Sequence, residues 1–135
     1  EDDARILFAS THQMPLYPGT GHAYETGGHR NVVNVPLLEG AGTHAFRAAM
    51  VEKVLPAVDR WAPELLLISA GFDAHKADPL GGMGLDETDF AWVTKELCEL
   101  AAKHSNGRVV SCLEGGYDLE ALAVSVVSHV NALKG

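Results

Sequence analysis

Short apolar runs and apolar residues at helical spacing alternate along this sequence. Apolar runs of strand length lie at residues 5–12, 31–37, 64–70 and 108–113 and predict four strands. The runs at 64–70 and 108–113 predict buried strands, and we expect the strand at 64–70 to be a central parallel strand covered on both faces. Pro36 has no N–H to donate to a ladder, so the strand at 31–37 is predicted to lie at an edge of the sheet.

Three further stretches have the spacing of amphipathic helices. Thr43 is predicted to cap a helix that reaches residue 61, and Pro56 is expected to kink or divide it. The apolar stripe of this helix is Phe46, Met50, Val54, Val58 and Trp61. Asp86 opens a predicted helix to about residue 104, and Asp118 caps a predicted last helix that ends near residue 133.

Strands that alternate with helices predict βαβ crossovers and a parallel sheet, the pattern of an α/β domain. The chain of 135 residues corresponds to one domain, 1–135, since domains most often run about 100–150 residues. Apolar residues make up 47% and charged residues 21%, which excludes disorder as the dominant state. No apolar run approaches the ~20 residues of a membrane span. The sequence starts with Glu1-Asp2-Asp3 and without Met, so we expect no secretory signal and a processed or truncated product.

The charge and cysteine content narrow the classes of partner and compartment. Ten Lys and Arg against 18 Asp and Glu give a net charge of −8, which argues against general binding of nucleic acid or an anionic membrane. Cys98 and Cys112 are too few for a disulfide scaffold or a Cys-only zinc site. We therefore expect both thiols to be reduced and packed, as in a cytoplasmic protein.

Polar and glycine-rich segments follow three of the predicted strands, at residues 10–30, 69–84 and 114–118. Because ligands of open α/β sheets bind beyond the carboxyl ends of the strands, we expect these segments to converge on a site. The first segment contains Gly19-Thr20-Gly21, but Tyr24 stands where a dinucleotide fingerprint needs its third glycine, and the lysine of a P-loop is absent. The sequence therefore supports nucleotide binding poorly.

Two places in these segments have side chains suited to catalysis. Asp73 and His75 follow the third predicted strand and are suitable zinc ligands, although a turn-capping Asp and a structural loop His have the same spacing. Tyr117 follows Gly115 and Gly116, whose backbone freedom allows close approach to a ligand. The Tyr117 phenol could donate a hydrogen bond to a developing oxyanion, and the alternative is a surface tyrosine in a turn.

Four ordered motifs resemble the zinc-dependent histone deacetylase superfamily. They are STHQMPLYPGTG, NVVNVPL, LLLISAGFDAHKADPLGGM and VVSCLEGGYD. They are most similar to those of its bacterial and class II members, including acetylpolyamine amidohydrolases and acetoin-utilisation proteins. The resemblance extends across nearly the whole chain and corresponds to the C-terminal part of the catalytic domain. It implies a three-layer, parallel-sheet α/β sandwich of the arginase/deacetylase type, of which this chain is the C-terminal portion.

The resemblance also implies roles for individual residues. Asp73 matches a zinc ligand, and Tyr117 matches the tyrosine that polarises the scissile acetamide carbonyl. Ser10 and Thr11 match positions that help to hold a structural monovalent cation, with potassium as the candidate ion. The walls of the acyl-lysine tunnel would include Tyr17, Leu80, Gly115 and Gly116.

Two motifs of the family's catalytic machinery are not found in the chain. In the family an upstream Asp-x-His motif supplies the other two zinc ligands, and a pair of adjacent His residues acts as general base and acid. In the family, the motif that Asp73-Ala74-His75 matches is a different one, and the resemblance implies that it supplies one ligand. We therefore expect the chain alone to hold zinc weakly and to be inactive. The alternative is a non-catalytic α/β module that assembles or binds a partner without metal.

The implied reaction is metal-assisted amide hydrolysis that releases acetate. The substrate could be acetyl-lysine in protein, an acetylated polyamine or another small amide. Asp and His ligands accept Fe(II) or Co(II) as well as zinc, so the sequence does not determine which metal ion is bound. A parallel sheet that ends partway through exposes an apolar edge, from which we expect self-association into a homo-oligomer.

Overall fold

The structure, a computed structural model, describes residues 3–135 as strands and helices in alternation. The strands are β1 (Phe8–Gln13), β2 (Val32–Leu37), β3 (Leu66–Ala70) and β4 (Val109–Leu113), and the helices are α1 (Thr43–Ala49), α2 (Leu55–Trp61), α3 (Glu87–His104) and α4 (Leu119–Lys134). A π-helical segment, Met50–Val54, joins α1 to α2. Within residues 3–135 no helix is both long enough and apolar enough to cross a membrane.

The strands form two parallel pairs, as the alternation of elements predicts. β1 lies beside β2 over its whole length, and β3 lies beside β4. In the described part of the chain these pairs are separate two-stranded sheets. β1 begins at Phe8, later than predicted, because Asp3 and Arg5 form a local turn in which the guanidinium contacts the carboxylate at 2.7 Å.

The prediction that β3 and β4 are buried is wrong for one face of this strand pair. Leu66 and Ile68 pack against the hydrophobic core. On the opposite face Leu67 is 69% exposed, and its neighbour on β4, Val110, is 47% exposed. Successive side chains of a strand point to opposite faces, so only one face of the pair meets the core. The other, which we call the open face, also carries the exposed free thiol of Cys112, contrary to the expectation of a packed cysteine.

Thr43 begins α1 but does not cap it, which corrects the sequence prediction. Gly42 holds the N-cap position, and the Thr43 hydroxyl donates to the Asp89 carboxylate on α3 at 2.7 Å. Asp89 is completely buried and also accepts from Arg47 Nε at 2.9 Å. A buried carboxylate must be paired, and this need directs the Thr43 hydroxyl away from its own helix. The same contacts attach α1 to α3.

The helical stretch around Pro56 is divided, as predicted. The segment Met50–Val54 is π-helical and α-helix resumes at Leu55. Proline cannot donate to the preceding turn, and π-helical turns accommodate such a local mismatch inside a longer helix.

The predicted starts of the last two helices are confirmed. Asp86 is the N-cap of α3, accepts from Thr88 N at 3.0 Å and forms a capping box with Asp89. Asp118 is the N-cap of α4 and accepts from Ala121 N at 2.8 Å. Both caps satisfy N–H groups that the helix itself leaves without partners.

The core lies between the helices and the packed face of the strands. The predicted stripe is buried at Phe46, Met50, Val54 and Val58. Trp61 is partly exposed and lies outside this cluster. Phe72, the first large side chain after β3, packs edge-on against Phe90 with ring centroids 5.1 Å apart. Phe72 therefore holds the start of the loop after β3 against the core.

Candidate metal and substrate site

The segments that follow β1, β3 and β4 converge at one end of the strands, as predicted. The backbone of Phe72 donates to Gly115 O at 2.7 Å, which ties the loop after β3 to the loop after β4. The Gln13 side chain at the end of β1 accepts from Gly82 N at 2.8 Å. Three segments that are distant in the sequence therefore share one hydrogen-bonded surface at the carboxyl ends of the strands.

Asp73 lies in the loop after β3, with its carboxylate between two glycines. A Cβ at Gly115 would overlap the carboxylate, and a Cβ at Gly71 would lie 3.1 Å from Asp73 Oδ1. Among residues 3–135 no other side chain donates a hydrogen bond to this carboxylate or forms an ion pair with it. Burial raises the pKa of Asp73 above its usual value, its own backbone N–H lowers it, and the negative charge of Asp78 raises it further. Such a carboxylate is suited to binding a cation.

His75 does not join Asp73 in a common site. Its ring is buried, Nδ1 accepts from Ala77 N at 3.1 Å, and Nε2 lies 3.6 Å from a carboxylate oxygen of Glu87. These contacts hold the imidazole between its own loop and the start of α3, which agrees with the structural interpretation of His75. In the described part of the chain no group of three or more His, Cys, Asp and Glu side chains could hold a metal ion. Asp73 fits a metal ion as one ligand of an incomplete set.

Tyr117 presents its side chain to solvent beside this surface. It is 55% exposed, and its backbone N–H donates to Asp78 Oδ2 at 2.8 Å. The preceding Gly116 has φ +147°, and a Cβ there would lie 2.8 Å from Leu122 Cδ1. The positive φ therefore favours glycine at this position, and a Cβ would also lie 3.3 Å from Phe72 Cβ. Backbone contacts therefore hold Tyr117 in position, while its phenol remains exposed to solvent.

Asp78 is the main site residue that the sequence interpretation did not single out. Its side chain is buried, and Oδ1 accepts from Leu80 N and Gly81 N, both at 2.9 Å. Burial raises the pKa of Asp78, but hydrogen bonds from backbone N–H groups outweigh this effect and hold the pKa below its usual value. An Asp followed by Pro79 and then by glycines is typical of an Asx-type turn, and that signal could have identified it.

Tyr17 and Leu80 are available as wall residues of an open binding surface. Tyr17 is 96% exposed and Leu80 is 69% exposed, and neither belongs to the hydrophobic core. Leu80 is held through its backbone N–H by Asp78. The structure therefore ties Leu80 and Tyr117 to one carboxylate, whereas Tyr17 lies on the separate segment after β1.

Ser10 and Thr11 are adjacent in β1, so their side chains point to opposite faces. A single cation could therefore take the side chain of only one of them. The Ser10 hydroxyl lies 3.0 Å from His12 Nδ1, and His12 Nε2 lies 2.9 Å from Gly21 O. Because a carbonyl only accepts, His12 carries its hydrogen on Nε2, and Ser10 donates to Nδ1. The Ser10 oxygen keeps lone pairs that could contact a cation.

The family of the chain follows from its match to a family model. The model of the histone deacetylase domain matches residues 1–133. The chain belongs to the histone deacetylase family, which confirms the resemblance of its four motifs at the level of the family.

Individual relatives and solved structures agree with this assignment. The chain is 42% identical over 137 residues to histone deacetylase 10, chloroplastic, of Oryza sativa subsp. japonica. This alignment covers 99% of the present chain and 31% of the relative. It is 40% identical over 134 residues to the histone deacetylase-like amidohydrolase of Pseudomonas aeruginosa, with 96% of this chain and 35% of the relative. The chain spans about a third of the length of these curated relatives.

The fold is also that of solved deacetylases. The HD domain of HDA15 superimposes with a TM-score of 0.86 at 33% identity and covers 94% of this chain and 37% of that one. The histone deacetylase Clr3 superimposes with a TM-score of 0.88 at 30% identity and covers 98% of this chain and 23% of that one. The predicted α/β fold of the deacetylase type is confirmed.

Proposed function

We propose that this chain supplies Asp73 and Tyr117 to the active site of a zinc-dependent deacetylase. The reaction is the hydrolysis of acetyl-lysine or of an acetylated amine with release of acetate. The observation that carries the proposal is the Asp73 carboxylate, which lies without a side-chain partner between Gly71 and Gly115. The backbone bond from Phe72 to Gly115 joins this position to the loop of Tyr117.

The residues of the chain have separable roles in this proposal. Asp73 binds the metal, and a bound zinc ion supplies the Lewis acidity that activates water and polarises the acetyl carbonyl. The Tyr117 phenol donates a hydrogen bond to the oxygen of that carbonyl as negative charge develops on it. The acyl-lysine chain would lie against Tyr17, Leu80, Gly115 and Gly116. A structural potassium ion would lie beside Ser10 and Thr11 in β1 and take a side-chain oxygen from only one of them.

We also propose that the chain alone is inactive and hydrolyses acetylated substrates only within a complete domain. Residues 3–135 provide one ligand, whereas a catalytic zinc needs three protein ligands. In the family the remaining ligands and the general acid and base come from motifs upstream of the matched region. The remaining zinc ligands and the general acid and base would come from residues other than the 135 of this sequence. We also propose a cytoplasmic location, which rests on the expectation from the sequence that Cys98 and Cys112 are reduced.

The second candidate function is assembly without catalysis, which the open face favours. Leu67 and Val110 are cross-strand neighbours on this face, and both are exposed. Exposed apolar strand faces promote association. We therefore propose that the chain forms homo-oligomers through the open face. Light scattering across a range of concentrations should show species larger than the 14.4 kDa monomer, and a strictly monomeric chain would contradict this.

The catalytic proposal is tested in a hybrid domain. In this hybrid the matched segment of the Pseudomonas aeruginosa amidohydrolase is replaced by the present chain, which aligns with it at 40% identity. Acetate release is measured with an acetyl-lysine peptide and with an acetylated polyamine, and the unmodified amidohydrolase is the positive control. We expect a folded, active hybrid and a loss of about 100- to 1,000-fold in kcat for Tyr117→Phe. A folded hybrid in which Tyr117→Phe leaves kcat unchanged would contradict the proposal.

A further inference from the structure

The Asp78 carboxylate holds two loops of the candidate site at once. Oδ1 accepts from Leu80 N and Gly81 N, both at 2.9 Å, within its own loop. Oδ2 accepts from Tyr117 N at 2.8 Å, across 39 positions of sequence. Asp78 forms none of the ion pairs found in the described part of the chain, so its charge is matched by backbone N–H groups.

The backbone of Tyr117 depends on this bond because its neighbours constrain it unevenly. On one side Asp118 is fixed as the N-cap of α4 by its bond to Ala121 N. On the other side Gly116 has φ +147°, a conformation that glycine can leave at little cost. The bond from Tyr117 N to Asp78 is therefore the contact that sets the direction of this peptide. It ties that direction to the loop of Leu80, whose side chain is 69% exposed.

We propose that Asp78 is a positioning residue that aligns Tyr117 with Leu80, and so sets the phenol of Tyr117 relative to the acyl chain of the substrate. The proposal rests on the proposed function, because it assigns the alignment to the oxyanion donor. Asp78 itself contacts backbone groups and acts through Tyr117. Misplacement of a catalytic group by about 1 Å can cost about 100-fold in rate, so a carboxylate that fixes a loop can control turnover.

The physical part of the proposal is tested on the full chain by amide hydrogen exchange measured with NMR. Asp78→Asn keeps the shape of the side chain but replaces one acceptor oxygen with an NH2 group, and Asp78→Ala removes both acceptors. We expect the exchange of Tyr117 N–H to accelerate at least about tenfold in the variants, while Ala121 N–H, bound to Asp118, is unchanged. Equal exchange of Tyr117 N–H in wild type and Asp78→Asn would overturn the inference.

The functional part is tested by a double-mutant cycle in the hybrid domain. We expect Asp78→Asn to lower kcat by about 10- to 100-fold. In a Tyr117→Phe background the same substitution should change kcat less than about twofold, because Asp78 acts through the missing hydroxyl. Asp86→Asn, at the N-cap of α3, is the matched control and should change kcat less than about twofold in both backgrounds.

The outcomes separate the inference from the proposed function. An equal loss of kcat from Asp78→Asn with and without the Tyr117 hydroxyl would show a purely structural role and overturn the inference. If Tyr117→Phe alone leaves kcat unchanged, the proposed function fails. The exchange measurement does not involve catalysis, so the bond from Tyr117 N to Asp78 is judged independently of that failure.

Discussion

Gly115→Ala tests whether the space beside the Asp73 carboxylate is as tight as the structure indicates. Gly115 does not have a positive φ, so alanine is compatible with its backbone. The new Cβ would overlap Asp73 Oδ2 and lie 2.6 Å from Asp73 Cγ, whereas ordinary contact begins at 3.4 Å, so the carboxylate must retreat by more than about 0.8 Å. Overpacking of this kind costs about 1–3 kcal/mol, offset by about 0.4–1 kcal/mol from the reduced entropy of the unfolded chain. We expect a net loss of about 1–2 kcal/mol in the free energy of unfolding.

The assay is urea unfolding of the chain, followed by circular dichroism at pH 7. Gly28→Ala is the matched control, because Gly28 also lacks a positive φ and a Cβ there meets no atom within 4 Å. We expect this control to be unchanged or up to about 1 kcal/mol more stable. If Gly115→Ala unfolds at the same urea concentration as Gly28→Ala, the space between Gly115 and the Asp73 carboxylate is not as tight as the distances indicate, and the prediction is wrong.

Three further predictions concern stability. Asp89→Ala should lower the free energy of unfolding by about 3 kcal/mol, because Thr43 and Arg47 both lose the buried carboxylate to which they donate. The exposed Glu99→Ala is the control and should change the free energy of unfolding by less than about 0.5 kcal/mol in urea titrations. Burial lowers the pKa of His129, so the folded state disfavours its charged form. The free energy of unfolding should therefore fall as pH drops below about 6.5, where the unfolded chain takes up the proton. Calorimetry should show that the stability of His129→Gln depends less on pH over this range. Asp73→Asn should raise the urea midpoint at pH 7, since it removes a partly buried carboxylate whose pKa is raised chiefly by burial; a lower midpoint would contradict this.

Local signals in the sequence predicted the parts of the fold that local interactions determine. Asp86 and Asp118 cap their helices as predicted, since a capping bond spans only a few residues. The environment of a strand is not local. Leu66 and Ile68 on one face of β3 pack against the core, whereas Leu67 on the other face is exposed. All three side chains are apolar, so the sequence of the strand does not show which face is covered.

The same distinction applies to the candidate site. The positions of Asp73 and Tyr117 after parallel strands predicted that their loops meet, because strand ends share an edge. Thr43 was predicted as a cap, but its hydroxyl bonds Asp89, 46 positions away. The bond from Tyr117 N to Asp78 spans 39 positions. Such partners are chosen by the folded geometry, so a one-dimensional pattern does not reveal them.

The zinc content of the hybrid domain, measured with and without the Asp73 carboxylate, tests most directly whether Asp73 is a zinc ligand. Purified protein is exposed to zinc, dialysed and analysed by mass spectrometry of the metal. We expect about one zinc ion per hybrid, near-zero zinc in its Asp73→Ala variant, and near-zero zinc in the 135-residue chain alone. Retention of about one zinc ion by folded Asp73→Ala hybrid would show that Asp73 is not a ligand and would contradict the central claim.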